Sequence, residues 1–501
     1  MKRKLASLMI LVCAVASAQN INDVLQYGLE DLQGTARFKA MGGAFGALGG
    51  DLSALNINPA GSAVFNNSQF SVSANIGSIG TDANYFGTNV SSDNSISAIN
   101  QAGAVFVFKS TGNSPWNKLS LGVNYDMVQD FDNETYIAGN SSQGIDNYFL
   151  DYANGVPFGN LLLRDGEYLE EAYLDIGASL GYGEQQAFLG YFGGLLDPAD
   201  PDNTDGTAYV SNAQYSNLSQ RYNQFTDGYN SKFTVNFAGE YNNRLYLGAS
   251  INLHSVFYDR YTEFTESNYD PASEIQFANF DNFLHTEGGG FSFSLGTIAK
   301  LNEFLRLGVS YQSPTWYRLE DETYQRINSD LADEDIGYIN QDIRNLYEAY
   351  TIKIPAKVTA SAAIIFGKQG LLSVDYGFQD MSNAQLRPKD DPSFASENDY
   401  ISQELGGVST LRLGGEYRIK QISLRAGYRL EGSPYANGNT IGDLNVYSGG
   451  VGFSFGPNRI DLALSRSERD YNTQLFQTGL TNSAYVTKTN TFGSIGYTLN
   501  F

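Results

Sequence analysis

Side chains able to do acid–base, nucleophilic or metal chemistry are few in this chain, and their spacing serves none of those purposes. It holds two histidines, His254 and His285, and one cysteine, Cys13. A zinc site needs several nitrogen, sulfur or carboxylate donors converging on one point, and Ser/His/Asp catalysis would rest on His254 alone. Haem capture needs an axial His or Tyr; tyrosines abound, but none has a recognisable setting. The acidic run Asp200-Pro-Asp-Asn-Thr-Asp-Gly206 begins like a calcium loop. Its glycine falls one place late, and no bidentate acid follows at the distance an EF-hand requires. Incidental surface calcium is the most this run allows. The expectation is no enzyme, no cofactor and no metal.

What remains is the chemistry of binding. A long-chain acid needs a greasy slot for its tail and a cation or donors for its carboxylate. Apolar side chains suited to a slot punctuate residues 161–196, and their spacings of three and four predict a short amphipathic helix around Leu162–Leu174. The candidate slot residues are Leu162, Leu169, Tyr173, Phe188 and Phe192; the competing use is as that segment's own core. For the head group the candidates are Arg412 and Arg425, both on inward positions of predicted strands. Arg425 falls opposite or diagonal to Glu416, so an ion pair is its competing use.

The elements that must hold these residues are strands. The chain ends in Thr491-Phe-Gly-Ser-Ile-Gly-Tyr-Thr-Leu-Asn-Phe501, where Ile495, Tyr497, Leu499 and Phe501 share one face and polar or small residues the other. Side chains alternate across a strand, so such a segment has an apolar wall and a wet wall. A terminal strand of this kind, ending on an aromatic, suits a barrel in the outer membrane, with Phe501 the signal for the assembly machinery. The same period of two recurs from Phe70-Val72-Ala74-Ile76 through Leu245-Leu247-Ala249-Ile251-Leu253 to Ile460-Leu462-Leu464. Short connections near Lys109–Asn117, Asn242–Asn243, Leu301–Asn302, Gly367–Gly370, Ile419–Lys420 and Gly456–Asn458 define six hairpins. One strand before them and one after predict an all-β transmembrane antiparallel barrel of about 14 strands. In this reading Tyr261–Asn268 and His285 are loop.

Both ends of the chain agree with export. Lys2, Arg3 and Lys4 precede an apolar run from Leu5 to Val15, and Ala16-Ser17-Ala18 supplies a cleavage site. Residues 1–18 therefore read as a signal peptide, which removes the only cysteine and leaves an exported chain with no thiol. The formal charge of −23 becomes −26 when the three basic residues leave, which argues against nucleic acid as a partner. Residues 19–67 lack lipid-facing alternation and read as a plug inside the barrel. Residues 68–501 read as the barrel, with 130–230 its longest external loop.

Within the plug stands Met41-Gly42-Gly43-Ala44-Phe45, then Asp51, then Asn58-Pro59-Ala60. This stretch resembles the hatch of the FadL family of outer-membrane transporters for long-chain fatty acids and other hydrophobic compounds. Thr410-Leu-Arg-Leu-Gly-Gly-Glu-Tyr417 and Leu424-Arg-Ala-Gly-Tyr428 are similar to that family's late strands. The resemblance implies a 14-strand barrel with an N-terminal hatch in the outer membrane of a Gram-negative cell. It implies passive uptake of hydrophobic molecules, long-chain fatty acids first among them, with outside capture, a lumenal pocket and a sideways exit beside the hatch. Gly42, Gly43, Asp51, Asn58, Pro59 and Ala60 would be its structural and gating residues. Glycine pairs permit close backbone contact and positive φ, and on residue chemistry alone Asn58-Pro59 is a turn. The alternative is a surface receptor, for haem or another ligand, without transport.

Overall fold

The computed structural model describes residues 19–112, 114–389 and 391–501; the expected signal peptide lies outside them. Nineteen hydrogen-bonded segments form one closed antiparallel sheet. They make fourteen strands, because four strands are each broken into pieces that share neighbours. In chain order the first seven are β1 (Gln69–Tyr85), β2 (Thr88–Lys109), β3 (Trp116–Asp130 resumed as Asn133–Ser141), β4 (Leu218–Tyr241), β5 (Leu245–Ser267), β6 (Phe277–Lys300) and β7 (Leu305–Gln312 resumed as Thr315–Ser329). They are followed by β8 (Asn345–Leu346, Tyr350–Ile354 and Lys357–Phe366), β9 (Gly370–Asp380 and Gln385–Arg387), β10 (Gly407–Ile419), β11 (Ile422–Glu431), β12 (Leu444–Phe455), β13 (Asn458–Gln474) and β14 (Ser483–Asn500). β14 pairs with β1 from Gln69↔Asn500 to Asn84↔Tyr485, which closes the ring. Closure at β14–β1 leaves no terminal strand edge for lipid to meet, as a membrane-spanning sheet requires.

Alternation has the expected sense over one band of the wall. Phe233, Phe237, Leu247, Ile251, Leu253 and Phe291 all point outward and are exposed, while Asn236, Ser250, Asn252 and Ser292 point inward and are buried. β4, β5 and β6 run for 24, 23 and 24 residues, more than twice the roughly 9–11 that a tilted strand needs to cross a bilayer. Tyr261–Ser267 are therefore strand, not loop, and His285 lies mid-strand with its Nδ1 2.6 Å from Asp259 Oδ1 on the neighbouring strand. These upper stretches stand above the lipid, where water wets the outer face and the apolar–polar alternation ends.

The segment between β3 and β4 caps the mouth. Helices α3 (Asp146–Ala153), α4 (Leu169–Ser179) and α5 (Tyr182–Phe192) pack on the inner faces of the tall strands. Phe149, Tyr173, Phe188, Leu189, Phe264 and Phe280 form their shared core. The helix predicted around Leu162–Leu174 begins at Leu169, where Glu171 Oε2 accepts from Tyr168 N at 3.4 Å.

Residues 19–68 contribute no membrane strand and lie inside the barrel. They comprise α1 (Ile21–Gly28), α2 (Ala36–Ala40) and two short 3-10 turns at Leu52–Asn56 and Pro59–Val64. The wall residues that meet them include many polar residues and glycines, such as Ser120, Asn236, Gly248 and Gly427, alongside apolar patches around Ala238, Ala363 and Ile352.

Candidate functional site: a plugged lumen with two cavities

The lower part of the plug is fitted closely to the wall. Gly42 and Gly43 have φ of +60° and +75°, a conformation that glycine adopts at little cost. A Cβ on Gly427 of β11 would lie 2.1 Å from the Gly42 nitrogen, and one on Gly248 of β5 2.5 Å from Pro59 and Ala60 backbone atoms. Asp51 caps the first 3-10 turn, accepting from Ser53 N (3.1 Å) and Thr35 Oγ1 (2.7 Å). Asn58 Nδ2 donates to Gly46 O (2.8 Å) and Thr297 O (3.0 Å), and its Oδ1 accepts from Ala60 N (3.1 Å). Pro59 opens the second turn, where a missing N–H costs nothing. Ala60 is fully buried against Ala238, Tyr246 and Ile298.

Charge completes this anchor. Arg37 Nε lies 3.0 Å from Glu416 Oε2, which Arg425 Nε also reaches at 2.7 Å, and Arg418 Nε meets the other oxygen at 2.6 Å. Arg425 Nη1 continues to Asp461 at 2.7 Å, and Arg459 Nε completes that carboxylate at 2.7 Å. Burying such charges is tolerable only because each has a partner.

Above the plug, under the helical cap, lies a cavity of about 600 Å³. Its floor is α1, and its walls combine tyrosines (Tyr148, Tyr182, Tyr222, Tyr258) with Asn and Gln side chains. Arg260 of β5 faces into it beside Tyr222, Tyr258 and Asp23, and makes no hydrogen bond or ion pair among the described residues. Gln19 Nε2 to Asp321 (2.9 Å) and Ile21 N to Glu397 (2.7 Å) hold α1 at its start. Burial, with Asp321 adding repulsion, raises the Asp23 carboxyl to about 7.

Beneath α1 a second cavity of about 40 Å³ is lined by Glu30, Lys232, His254, Tyr317 and Lys357 among others. His254 shares hydrogen bonds with Tyr317 Oη (3.2 Å) and Ser292 Oγ (3.3 Å), a structural use for that ring. Beside this cavity the wall opens. β2 and β3 pair from Lys109↔Lys118 to Gln101↔Asp126 and no further, although both strands continue. Ser92 Oγ to Glu134 O (2.8 Å) joins them again higher up. Between these points residues 29–34 of the plug sit at the free edges. Asp31 N donates to Val128 O (3.3 Å), Asn100 Nδ2 donates to Gly34 O, and Asn75 Nδ2 donates to Gln33 Oε1 (2.7 Å).

A closed 14-strand wall around an N-terminal plug is the arrangement of a known transporter family. The family model for outer membrane protein transport protein (OMPP1/FadL/TodX) matches residues 232–487, just over half of the chain. The chain belongs to this family. Among solved structures, a Pseudomonas aeruginosa FadL homologue aligns with TM-score 0.56 at 13% identity, covering 95% of this chain and 100% of that one. The CymD monoaromatic hydrocarbon channel aligns at 0.50 and 14%, covering 94% and 99%. The P. putida toluene transporter TodX does so at 0.50 and 15%, covering 94% and 99%. No curated protein sequence matches the chain. At such identities the structural likeness establishes the fold. As an OMPP1/FadL/TodX family member the protein is a Gram-negative outer-membrane channel for hydrophobic compounds, and its work is transport, not catalysis.

Within this FadL-type barrel the sequence-predicted residues separate into three groups. Gly42, Gly43, Asp51, Asn58, Pro59 and Ala60 all come together in the anchor. Leu169, Tyr173 and Phe188 lie inside the cap's core, with Phe192 packed partly buried against it, and Leu162 stands exposed outside. None of the five lines the mouth cavity, because the helices turn their apolar faces onto one another. Arg425 is enclosed between Glu416 and Asp461. Arg412 is buried in the lumen opposite Asp375 and Arg429, with no partner for its Nη1 among the described residues. Sequence reasoning missed Arg260, although it has the same inward parity as His254 six positions earlier.

Proposed function

We propose that this channel admits long-chain fatty acids and similar hydrophobic carboxylates by passive diffusion. Molecules enter the mouth cavity, pass α1, and leave sideways between β2 and β3. The observation that carries this reading is the interrupted ladder above Gln101↔Asp126, stoppered by residues 29–34 and nowhere bonded strand to strand until Ser92 and Glu134. A gap there gives a greasy molecule a way into the lipid without crossing the polar lumen floor. Arg260 supports the choice of an acid: an inward guanidinium without a protein partner is suited to hold a carboxylate. The anchor residues, Asn58 and Gly42 above all, keep the plug seated while the arm above them moves.

The test is uptake of labelled palmitate, with labelled haem offered separately, by cells lacking their own outer-membrane fatty-acid transporter. Palmitate is expected to enter, and haem is not. Arg260→Gln should raise the half-saturating palmitate concentration about tenfold, the loss of one charge-assisted contact of roughly 1.5 kcal/mol. Absence of palmitate entry with the barrel at the surface would defeat the reading, and haem capture without entry would favour a receptor.

A further inference from the structure

The outer face of β12 and β13 carries an open groove of about 630 Å³, whose outward-facing lining is Tyr447, Gly449, Val451, Leu462, Leu464 and Arg466. Strand pairing sets these residues in rows, with Val451↔Leu462 lowest, Gly449↔Leu464 in the middle and Tyr447↔Arg466 on top. Leu462, Leu464 and the Tyr447 ring are all exposed. The hollow lies at Gly449, which puts no side chain between them. Its backbone does not call for glycine: its φ is outside the left-handed region, and a Cβ there would meet only the Arg425 carbonyl oxygen, at 3.5 Å. Gly450 differs, since a Cβ on it would lie 2.7 Å from the Ala40 Cβ of the plug. Packing requires Gly450 and does not require Gly449.

Arg466 closes the top of this groove. The stretch from Asn458, beside the short periplasmic turn, up to Arg466 matches the roughly 9–11 residues with which a tilted strand crosses a bilayer. The arginine therefore stands at the outer boundary of the lipid, where headgroups replace acyl chains. It is exposed and makes no hydrogen bond or ion pair among the described residues. Higher up, Arg326 and Arg344 are matched by Asp281 and Glu322. Arg318 of β7 also lacks a partner among the described residues, but the groove it borders, of about 420 Å³, presents Glu287 and Glu320 beside it. Among the described residues lining the β12–β13 groove, Arg466 alone is charged. A guanidinium at a membrane surface gains most from an anion that meets it, and a phosphate suits its fork of donors.

An apolar slot beneath one unpaired cation, at the height of the outer leaflet, is complementary to a lipid with an anionic headgroup. In a Gram-negative outer membrane the lipid of that leaflet is a glycolipid whose glucosamine headgroup bears phosphates. We propose that the β12–β13 groove is a binding site for this glycolipid. One acyl chain lies along Leu462 and Leu464 over Gly449, Arg466 binds a phosphate, and the exposed Tyr447 ring stands beside the sugar. The site is separate from the lumen and independent of the cargo. On the inner side of the same strands, Ala463 packs on Ala36 and Ala40 of α2. The lipid thus presses on the wall from outside where the base of the plug leans on it from inside.

The experiment titrates the full-length barrel in nonionic detergent with bis-phosphorylated lipid A and, separately, with its dephosphorylated form, and reads bound lipid by native mass spectrometry. The unaltered barrel should bind the phosphorylated form at least about tenfold more tightly, since only that form meets Arg466 through a charge-assisted contact. Arg466→Gln should weaken the phosphorylated form about tenfold and leave the other unchanged. Gly449→Leu fills the slot and should weaken both forms. Arg318→Gln, made at the groove that holds two acids, should weaken neither. Equal binding of the two lipids by the unaltered barrel, unchanged binding in Arg466→Gln, or an equal loss in Arg318→Gln would overturn the proposal. A dimer that forms without lipid and that Gly449→Leu abolishes would overturn it in favour of a second copy of the chain in the groove. Where Gly449→Leu does not assemble, Arg466→Gln decides alone, because that side chain is exposed and its removal leaves no partner behind.

Discussion

The two halves of the plug are built on opposite principles. From Thr35 to Phe65 the chain is wedged against β4–β6 and β10–β13 by glycine contacts, three Asn58 hydrogen bonds and an arginine–carboxylate network in which each acid has several partners. From Gln19 to Gly34 it spans between two cavities: Ile21, Val24, Leu25 and Tyr27 of α1 pack on an apolar patch of the wall around Tyr317, Ile352 and Ile354, and residues 29–34 are held by isolated hydrogen bonds and by one ion pair to Lys357. A close fit resists displacement because every shift opens voids or clashes. A set of single polar contacts can be exchanged for others at little net cost. A fixed base beneath a movable arm is what a channel needs if it must stay plugged yet release cargo through its wall.

The sharpest way to break this contrast is to make the same substitution at one contact of each half, on the wall beneath the base and within the arm. Gly427→Ala should place a methyl against the rigid backbone of Met41 and Gly42 and destabilise plug seating by about 3 kcal/mol, the upper range for overpacking. Gly28→Ala meets only the flexible end of Met381, at 2.7 Å, and should change stability by under about 1 kcal/mol. Hydrogen exchange of the plug amides in the assembled barrel would read both, and equal effects would remove the distinction between base and arm.

Next in size is Asn58→Ala. It removes the side-chain hydrogen bonds to Gly46 O, Thr297 O and Ala60 N, a loss of about 2–3 kcal/mol at roughly 1 kcal/mol each. The barrel should still assemble, with its usual heat-dependent gel mobility, while palmitate uptake falls. Normal uptake in this variant would show that the base need not stay seated.

How far these parts could be read from residues alone follows from what surrounds them. Strands were legible where one face meets lipid and the other a wet lumen, as in Leu245–Leu253. Above that band both faces are wet or covered by the cap, so Tyr261–Ser267 and His285 carried no alternation and read as loop. The base was legible through local pattern, since Gly42-Gly43 and Asn58-Pro59-Ala60 act through their own backbone geometry. The arm and its cavities were not, because Glu30, Lys232 and Lys357 come from three distant segments that only ring closure brings together. The cap failed differently: the spacing of Leu169, Tyr173 and Phe188 correctly signalled amphipathic packing, but spacing does not say whether an apolar face meets a ligand or another helix.

The smallest expected effect tests whether the arm responds to pH while the base does not. Asp23 caps α1 by accepting from Asn20 N at 2.7 Å, yet burial raises its carboxyl from 3.8 to about 7. Below pH 3.8 the group is protonated whether α1 is docked or free. As pH rises past that value the free arm loses its proton first, so docking weakens progressively until about pH 7 and is constant above. Amide exchange in α1 should therefore quicken between pH 5 and pH 7.5 beyond the intrinsic rate, and Asp23→Asn should remove the excess. The Asn58–Val64 amides should show no such excess in either protein. An α1 whose protection is flat with pH would mean that the arm is held as rigidly as the base.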